Sequence, residues 1–195
     1  PLPEGAEALL MIEVDGPAAC IDASADAVAE SARLPGLVEL RLARDQAEVA
    51  ALWKARKALS PALRHIAHKK INEDVVVPVS RMGEFIEGLE GLSRRHGVQI
   101  VNFGHAGNGN IHVNLLVDPD QGDDLARAQV CLEAMFGLVL DLGGTLSGEH
   151  GVGFEKRDYV GRELDPAALG LMRAIKRQFD PRGILNLGKG LPLES

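Results

Sequence analysis

Val98-Gln99-Ile100-Val101-Asn102-Phe103-Gly104-His105-Ala106-Gly107-Asn108-Gly109-Asn110-Ile111-His112-Val113-Asn114-Leu115-Leu116-Val117 is the stretch on which the fold turns. Both flanks are rich in β-branched and apolar residues. The connection between them holds Gly107, Gly109 and two asparagines, residues that accept positive φ and favour turns. A β-hairpin is the expected structure. With His105 opposite His112 across a six-residue loop, strand alternation puts Phe103, His105, His112 and Asn114 on one face. Val113, Leu115 and Val117 then point the other way, into a core. A one-residue slip would send the histidines to opposite faces, so any joint role for them depends on this register.

A second run, Ser147-Gly148-Glu149-His150-Gly151, adds a carboxylate and a third imidazole. Two histidines and a carboxylate are the donors a divalent metal selects, and His150 would remain free as a base. Alone, a histidine pair seven residues apart also fits turn or surface chemistry. The framing glycines Gly143, Gly144, Gly148, Gly151 and Gly153 weigh on the other side. Five glycines within eleven residues are costly in conformational entropy and point to close backbone approach or to a set of positive-φ turns.

Composition bounds the possibilities. At 195 residues, with 46% hydrophobic and 25% charged content, the chain reads as one soluble globular domain or two small ones. Aromatic residues make up only 4%, so Leu, Val, Ile and Ala must fill the core. A net charge of −7 without a lysine or arginine cluster argues against nucleic acid as a partner. Lys69-Lys70 and Arg94-Arg95 read as solvated charges at helix ends or loops. Cys20 and Cys131 are isolated thiols with no CxxC spacing, which fits a reducing compartment. No apolar stretch approaches the roughly 20 residues that span a bilayer, and the N-terminus lacks a signal-peptide pattern. The expected location is cytoplasmic, at most peripheral to the inner face of a membrane. Pro1-Leu2-Pro3-Glu4 leads straight into an apolar segment without an initiator methionine, as a piece of a longer chain would.

Elements of both kinds alternate along the chain. Residues 8–14 read as an apolar strand, and Ala25, Val28, Ala29 and Ala32 as a helical face behind a Ser24 cap. Residues 38–42 alternate as a strand. Residues 45–59 carry helical spacing that Pro61 should end or kink, and 74–79 is a short strand with Pro78 near its end. Phe85, Ile86, Leu89 and Leu92 form a helical stripe stopped by Gly97. After the hairpin, Ala128, Leu132, Met135, Phe136 and Val139 define a long amphipathic helix. Leu169, Met172, Ile175 and Phe179 line a last one behind Asp165-Pro166. Each stripe is expected to pack into a core. The order βαβα, then βαββα, resembles two split-βαβ units and predicts an α+β fold, an antiparallel or mixed sheet with helices packed on one side.

Two motif matches fail. Gly183-Ile184-Leu185-Asn186-Leu187-Gly188-Lys189-Gly190 has the frame of a phosphate-binding loop, but Gly190 stands where Ser or Thr is required and Pro192 prevents a following helix. Gly104-His105-Ala106-Gly107 and Gly151-Val152-Gly153 miss the dinucleotide-binding spacing.

The runs NFGHAGNGNIHVNLL (102–116), GGTLSGEHGVGFEKRDYV (143–160) and FDPRGILNLGKGLP (179–192) resemble the C-terminal domain of FAD-linked oxidases of the vanillyl-alcohol oxidase type. That group includes D-lactate dehydrogenase, glycolate oxidase and D-2-hydroxyglutarate dehydrogenase. The opening PLPEGAEALLMIEVDG and the run LWKARKALSPAL fit as well, so the likeness covers the whole chain. The resemblance implies a two-domain flavoenzyme. An N-terminal domain of the same polypeptide binds FAD, while residues 1–195 form the C-terminal cap and substrate domain with a duplicated ferredoxin-like α+β fold.

It further implies that His105, His112 and Glu149 bind a divalent metal, zinc first, with manganese or iron as alternatives, and that His150 is the base. Asn114 would contact substrate or metal-bound groups, and Ser60 would contact substrate. Arg56 would pair with the substrate carboxylate through two parallel hydrogen bonds, where the helix pattern alone suggests only a solvated charge. Asn186 would contact the flavin. The reaction implied is oxidation of a small (R)-2-hydroxy acid: the metal lowers the pKa of the 2-hydroxyl, His150 takes its proton and a hydride passes to the flavin. The electron acceptor is not named by the sequence, and a homodimer is compatible with it. The chain departs from the family in two places. Asn72 stands where the 2-hydroxyglutarate branch has a lysine, with Lys70 close by, and the closing Asn-Pro-Gly-Lys is Asn186-Leu187-Gly188-Lys189 here. Two other classes of function fit the residues: a stand-alone metal-dependent hydrolase using the same three donors, and a non-catalytic ferredoxin-like ligand-binding module. The flavoenzyme reading expects the isolated chain to be inactive without its FAD domain.

Overall fold

In a computed structural model that describes residues 3–120 and 122–193, β2 (Gln99–His105) and β3 (Asn110–Val117) form the expected hairpin. A third strand, β1 (Lys69–Val76), pairs with the other edge of β3 to complete one antiparallel sheet in the order β1-β3-β2. The central strand, β3, is buried along its whole length.

The hairpin register differs from expectation by two residues. Phe103 rather than His105 faces His112, and His105 faces Asn110. A 3-10 turn over Ala106–Asn108 tightens the loop, and Gly109 closes it at φ 76° with its backbone against the Val77 carbonyl, where a side chain would collide. Because strand side chains repeat every two residues, an offset of two preserves the face, and the four side chains expected together remain together.

The opposite face of the sheet is the core. Val75, Ile111, Val113, Leu115 and Val117 meet α3 (Met82–His96) through Phe85 and Leu89, and α4 (Asp124–Asp141) through Cys131, Met135, Phe136 and Val139. Each such side chain contributes about 1.5–3 kcal/mol through burial. α3 ends where expected: Gly97 takes the left-handed conformation at φ 62°, and Arg94 and Arg95 sit in the helix's last turn, complementing its dipole. The fold is thus α+β, with helices packed on one side of an antiparallel sheet.

Beyond this core, α5 (Val160–Glu163) and α6 (Pro166–Phe179) follow. The Asp165 carboxylate accepts the Ala168 N–H at 2.8 Å, with Pro166 in the first turn, as the sequence indicated. The stripe on α6 does not behave as core, however. Leu169 is buried, but Met172, Ile175 and Phe179 are exposed, Phe179 by 82%.

The chain divides into two compact units, Pro1–Leu59 and Ser60–Ser195. The first contains α1 (Ala18–Ser31) and most of α2 (Gln46–Ala62). Segments 8–14 and 38–42, expected as strands, join no ladder among the described residues, and their Leu9, Leu10, Ile12, Val38 and Leu40 are exposed. Apolar alternation marks a strand only where a partner edge completes its hydrogen bonds. The face expected on α1 buries no residue, and the helix begins behind Pro17, which leaves Ser24 inside it rather than at its cap. β1 in turn starts five residues before the expected strand and stops ahead of Pro78, so Lys69-Lys70 are strand positions, not loop charges. Both cysteines are free thiols. No helix among the described residues is long and apolar enough to cross a membrane.

Candidate functional site

The face of the sheet away from α3 and α4 is polar by design of the two-residue period. β1 contributes Lys70, Asn72 and Asp74, β3 contributes Asn110, His112 and Asn114, and β2 contributes Phe103 and His105. Asp74 lies opposite His112, and Asn72 opposite Asn114. A short bridge between Val76 and Thr145, with N–H···O distances of 3.0 and 2.9 Å, draws the glycine-rich loop alongside β1. Both expected reasons for its glycines apply: Gly143, Gly151 and Gly153 have positive φ, while a side chain at Gly148 would overlap the Asn110 amide and crowd the Asp74 carboxylate.

That loop delivers Glu149 to the histidines. Its Oε1 lies 3.4 Å from His105 Nε2 and its Oε2 3.9 Å from His112 Nε2. One donor atom from each of the three residues falls within 4.8 Å of the others, a spacing that a single divalent cation could bridge. His105 and Glu149 are exposed and His112 is buried. The His112 ring stacks on that of His150 at 5.4 Å and meets His105 edge-on at 5.6 Å, with Phe103 at 5.8 Å. Burial lowers the His112 pKa, the carboxylate of Glu149 opposes the shift, and the neighbouring imidazoles reinforce it. The net result favours the neutral imidazole, the form that offers a lone pair to a metal. Among the described residues, His112 Nδ1 and Ser147 Oγ are buried without hydrogen-bond partners, as are both side-chain polar atoms of Asn110. Such a concentration of unmet polar atoms beside the donor set fits a place where ligand or water completes the structure.

Asp74 holds this arrangement in place. Fully buried, it accepts the consecutive backbone N–H groups of Gly148 (3.0 Å), Glu149 and His150 (3.1 Å) on Oδ2. Its Oδ1 faces His150 Nδ1 at 3.3 Å and the ammonium of Lys156 at 3.1 Å. Lys156, itself buried, also donates to the carbonyls of Asp74 (2.7 Å) and Leu146 (2.8 Å) and pairs with Glu73 at 3.2 Å. Burial alone would raise the Asp74 pKa, but the N–H groups of Glu149 and His150 together with Lys156 outweigh it and bring the value down to about 2. For Glu73 burial wins over Lys156 and the pKa rises. Asp74 is therefore ionised at neutral pH.

A second polar group continues along the same face. Asn114 Oδ1 accepts from Asn72 Nδ2 at 2.9 Å and Lys70 Nζ at 3.3 Å, while its Nδ2 donates to the Val101 carbonyl at 3.1 Å. Lys70 also donates to Ser60 Oγ at 3.0 Å.

The structure thus brings together His105, His112, Glu149, His150, Asn114 and Ser60, all within the second unit. Arg56 lies half-buried on α2 in the first unit. Asn186 sits exposed in the C-terminal segment at φ 47°, with no hydrogen bond or ion pair to the cluster among the described residues. Residue-by-residue reading gave no role to Asp74, Lys156 or Lys70. The alternation Lys70, Asn72, Asp74 before an apolar run was a usable signal for two of them, whereas nothing in the run Phe154-Glu155-Lys156 marks Lys156 as buried.

Comparisons with known proteins bear on the family. Residues 1–190 match the family described as FAD linked oxidases, C-terminal domain. The glycolate oxidase subunit GlcD of Bacillus subtilis is 34% identical over 188 residues, covering 96% of this chain and 40% of the relative. Its counterpart in Escherichia coli K12 is 33% identical, covering 97% and 38%. The D-lactate dehydrogenase of Anaerostipes hadrus is 32% identical, covering 79% and 33%. The chain therefore spans two fifths or less of the length of these relatives. With the match extending over nearly every residue, the chain belongs to the FAD-linked oxidases and corresponds to their C-terminal domain.

Proposed function

We propose that this chain is the cap and substrate-binding domain of an FAD-dependent dehydrogenase that oxidises a small 2-hydroxy acid, with the FAD domain supplied by an N-terminal part of the same polypeptide. One observation carries the reading: His105, His112 and Glu149 converge on one another directly beside His150. The relatives' names, glycolate oxidase and D-lactate dehydrogenase, support the substrate class.

His105, His112 and Glu149 would hold a divalent cation, zinc by donor chemistry, with manganese or iron also suited. When bound, such a cation supplies a Lewis acid that acidifies a coordinated hydroxyl, and FAD supplies the two-electron acceptor. His150 accepts the hydroxyl proton at Nε2, since its Nδ1 faces the Asp74 carboxylate at 3.3 Å, a placement that favours the proton on Nδ1. The strap from Asp74 to the backbone of 148–150 keeps Glu149 and His150 in step, so metal ligand and base are positioned by one anion. Asn114 and Ser60 offer hydrogen bonds to the polar end of the substrate, and Asn186 a contact to the flavin.

The test is to express the full-length protein and follow its flavin absorbance anaerobically on addition of lactate, glycolate or 2-hydroxyglutarate. Bleaching by one acid, abolished by chelation and slowed by about 100-fold or more in His150→Ala, is the expected result. A colourless protein would overturn the flavoenzyme reading and return attention to a metal-dependent hydrolase or a binding module.

A further inference from the structure

On the polar face, Lys70 has no anion to match it among the described residues. Lys70 comes from β1, four residues before Asp74 and so on the same face, directly across the sheet from Leu116. It is half-buried, and its two partners, Ser60 Oγ at 3.0 Å and Asn114 Oδ1 at 3.3 Å, are both neutral oxygens. No carboxylate pairs with it among the described residues. Lys156, which reaches β1 from the loop after the glycine-rich run, is by contrast paired with Asp74 at 3.1 Å and with Glu73 at 3.2 Å. An ammonium has three donors, so one N–H of Lys70 is left over, and partial burial of an unmatched charge is unfavourable unless an anion arrives to meet it.

Its position says which anion. Asn114, the acceptor of Lys70, is two residues along β3 from His112, a strand distance of about 7 Å. An acid whose hydroxyl end lies at His105, His112, Glu149 and His150 would extend its carboxylate over Asn114 toward Lys70. We propose that Lys70 is a substrate-binding residue that receives a carboxylate of the substrate, with Ser60 and Asn114 holding the ammonium in place. The inference rests on the proposed 2-hydroxy-acid function and adds to it a cation from the second unit itself. Asn72 cannot serve in its stead, being uncharged, and its amide is already committed to Asn114.

The experiment compares wild-type, Lys70→Met and Lys70→Arg in the full-length holoenzyme. Methionine keeps the aliphatic length and removes the charge, and arginine restores the charge. Initial rates are measured with glycolate, lactate and 2-hydroxyglutarate, and oxalate binding is followed by calorimetry. Lys70→Met is expected to raise KM by tenfold or more, to lower kcat by a smaller factor, to weaken oxalate by a similar factor, and to be substantially rescued by arginine. A rise shared by all three acids places the carboxylate next to the hydroxyl carbon on Lys70. A rise confined to 2-hydroxyglutarate places the distal one there. If the wild type oxidises an acid and Lys70→Met leaves KM unchanged, the role of Lys70 is refuted and the enzyme reading stands. If none of the acids is oxidised, the enzyme reading fails, and the oxalate titration alone decides for or against the anion site.

Discussion

Replacing Asp74 by asparagine should loosen the loop that carries Glu149 and His150, and the size of the effect follows from what the carboxylate touches. Its pKa stands at about 2 in the folded chain against 3.8 for an ordinary aspartate, a difference equivalent to about 2.5 kcal/mol. Asparagine keeps the shape, but it must turn an NH2 group toward either three backbone N–H groups or the Lys156 ammonium. Breaking a buried pair from one side typically costs about 3–5 kcal/mol, and the lower end of that range, about 3 kcal/mol, lies nearest the pKa difference. In a chain of 195 residues that lowers Tm by about 6–12 °C. Because the folded pKa is depressed, the stabilisation is fully present above pH 3.8 and is lost as pH falls through about 2. The gap between wild type and Asp74→Asn should hold constant at neutral pH and close in strong acid. Amide hydrogen exchange reports the local consequence: the N–H groups of Gly148, Glu149 and His150 should lose protection together. A Tm within about 2 °C of wild type, with those amides still protected, would refute the idea that Asp74 straps the loop.

Two further outcomes are expected. His112→Ala and Glu149→Ala should each weaken zinc binding by at least about tenfold, since even an outer partner of a metal ligand is worth that much. Competition with a chromophoric chelator measures it, and unchanged affinity would remove the residue from the donor set. Gly148→Ala should destabilise the chain by about 1–3 kcal/mol, because the added methyl overlaps the Asn110 amide and crowds Asp74. A urea midpoint equal to wild type would show that the loop has room to spare.

The second unit was legible in the sequence to the extent that its elements bury a periodic face. The stripes of α3 and α4, the stop at Gly97 and the Asp165-Pro166 start all follow from local chemistry, and the core face of the hairpin follows from alternation. The first unit was not. Residues 8–14 and 38–42 have the composition of strands, but a strand is completed by a neighbour's hydrogen bonds, and composition does not reveal whether that neighbour exists. The exposed stripe on α6 makes the same point for helices: Met172, Ile175 and Phe179 mark a face suited to burial without saying what lies against it.

The site divides along a similar line. His105, His112 and Asn114 could be placed on one face because the inference needed only parity, and parity survived a register two residues away from the expected one. Glu149 and His150 had no such rule. They sit on a glycine-rich loop more than thirty positions downstream of the hairpin, and their location is set by a carboxylate on β1 that reaches across seventy-five residues of sequence to three backbone N–H groups. Backbone donors carry no side-chain signature, so no motif announces that contact. Lys156 is hidden for the same reason, since two of its acceptors are main-chain carbonyls. A loop anchored in this way keeps two side chains in step: the anion that accepts the Glu149 and His150 N–H groups also faces His150 Nδ1, so the proposed metal ligand and the proposed base, drawn from one loop, are held relative to the same carboxylate.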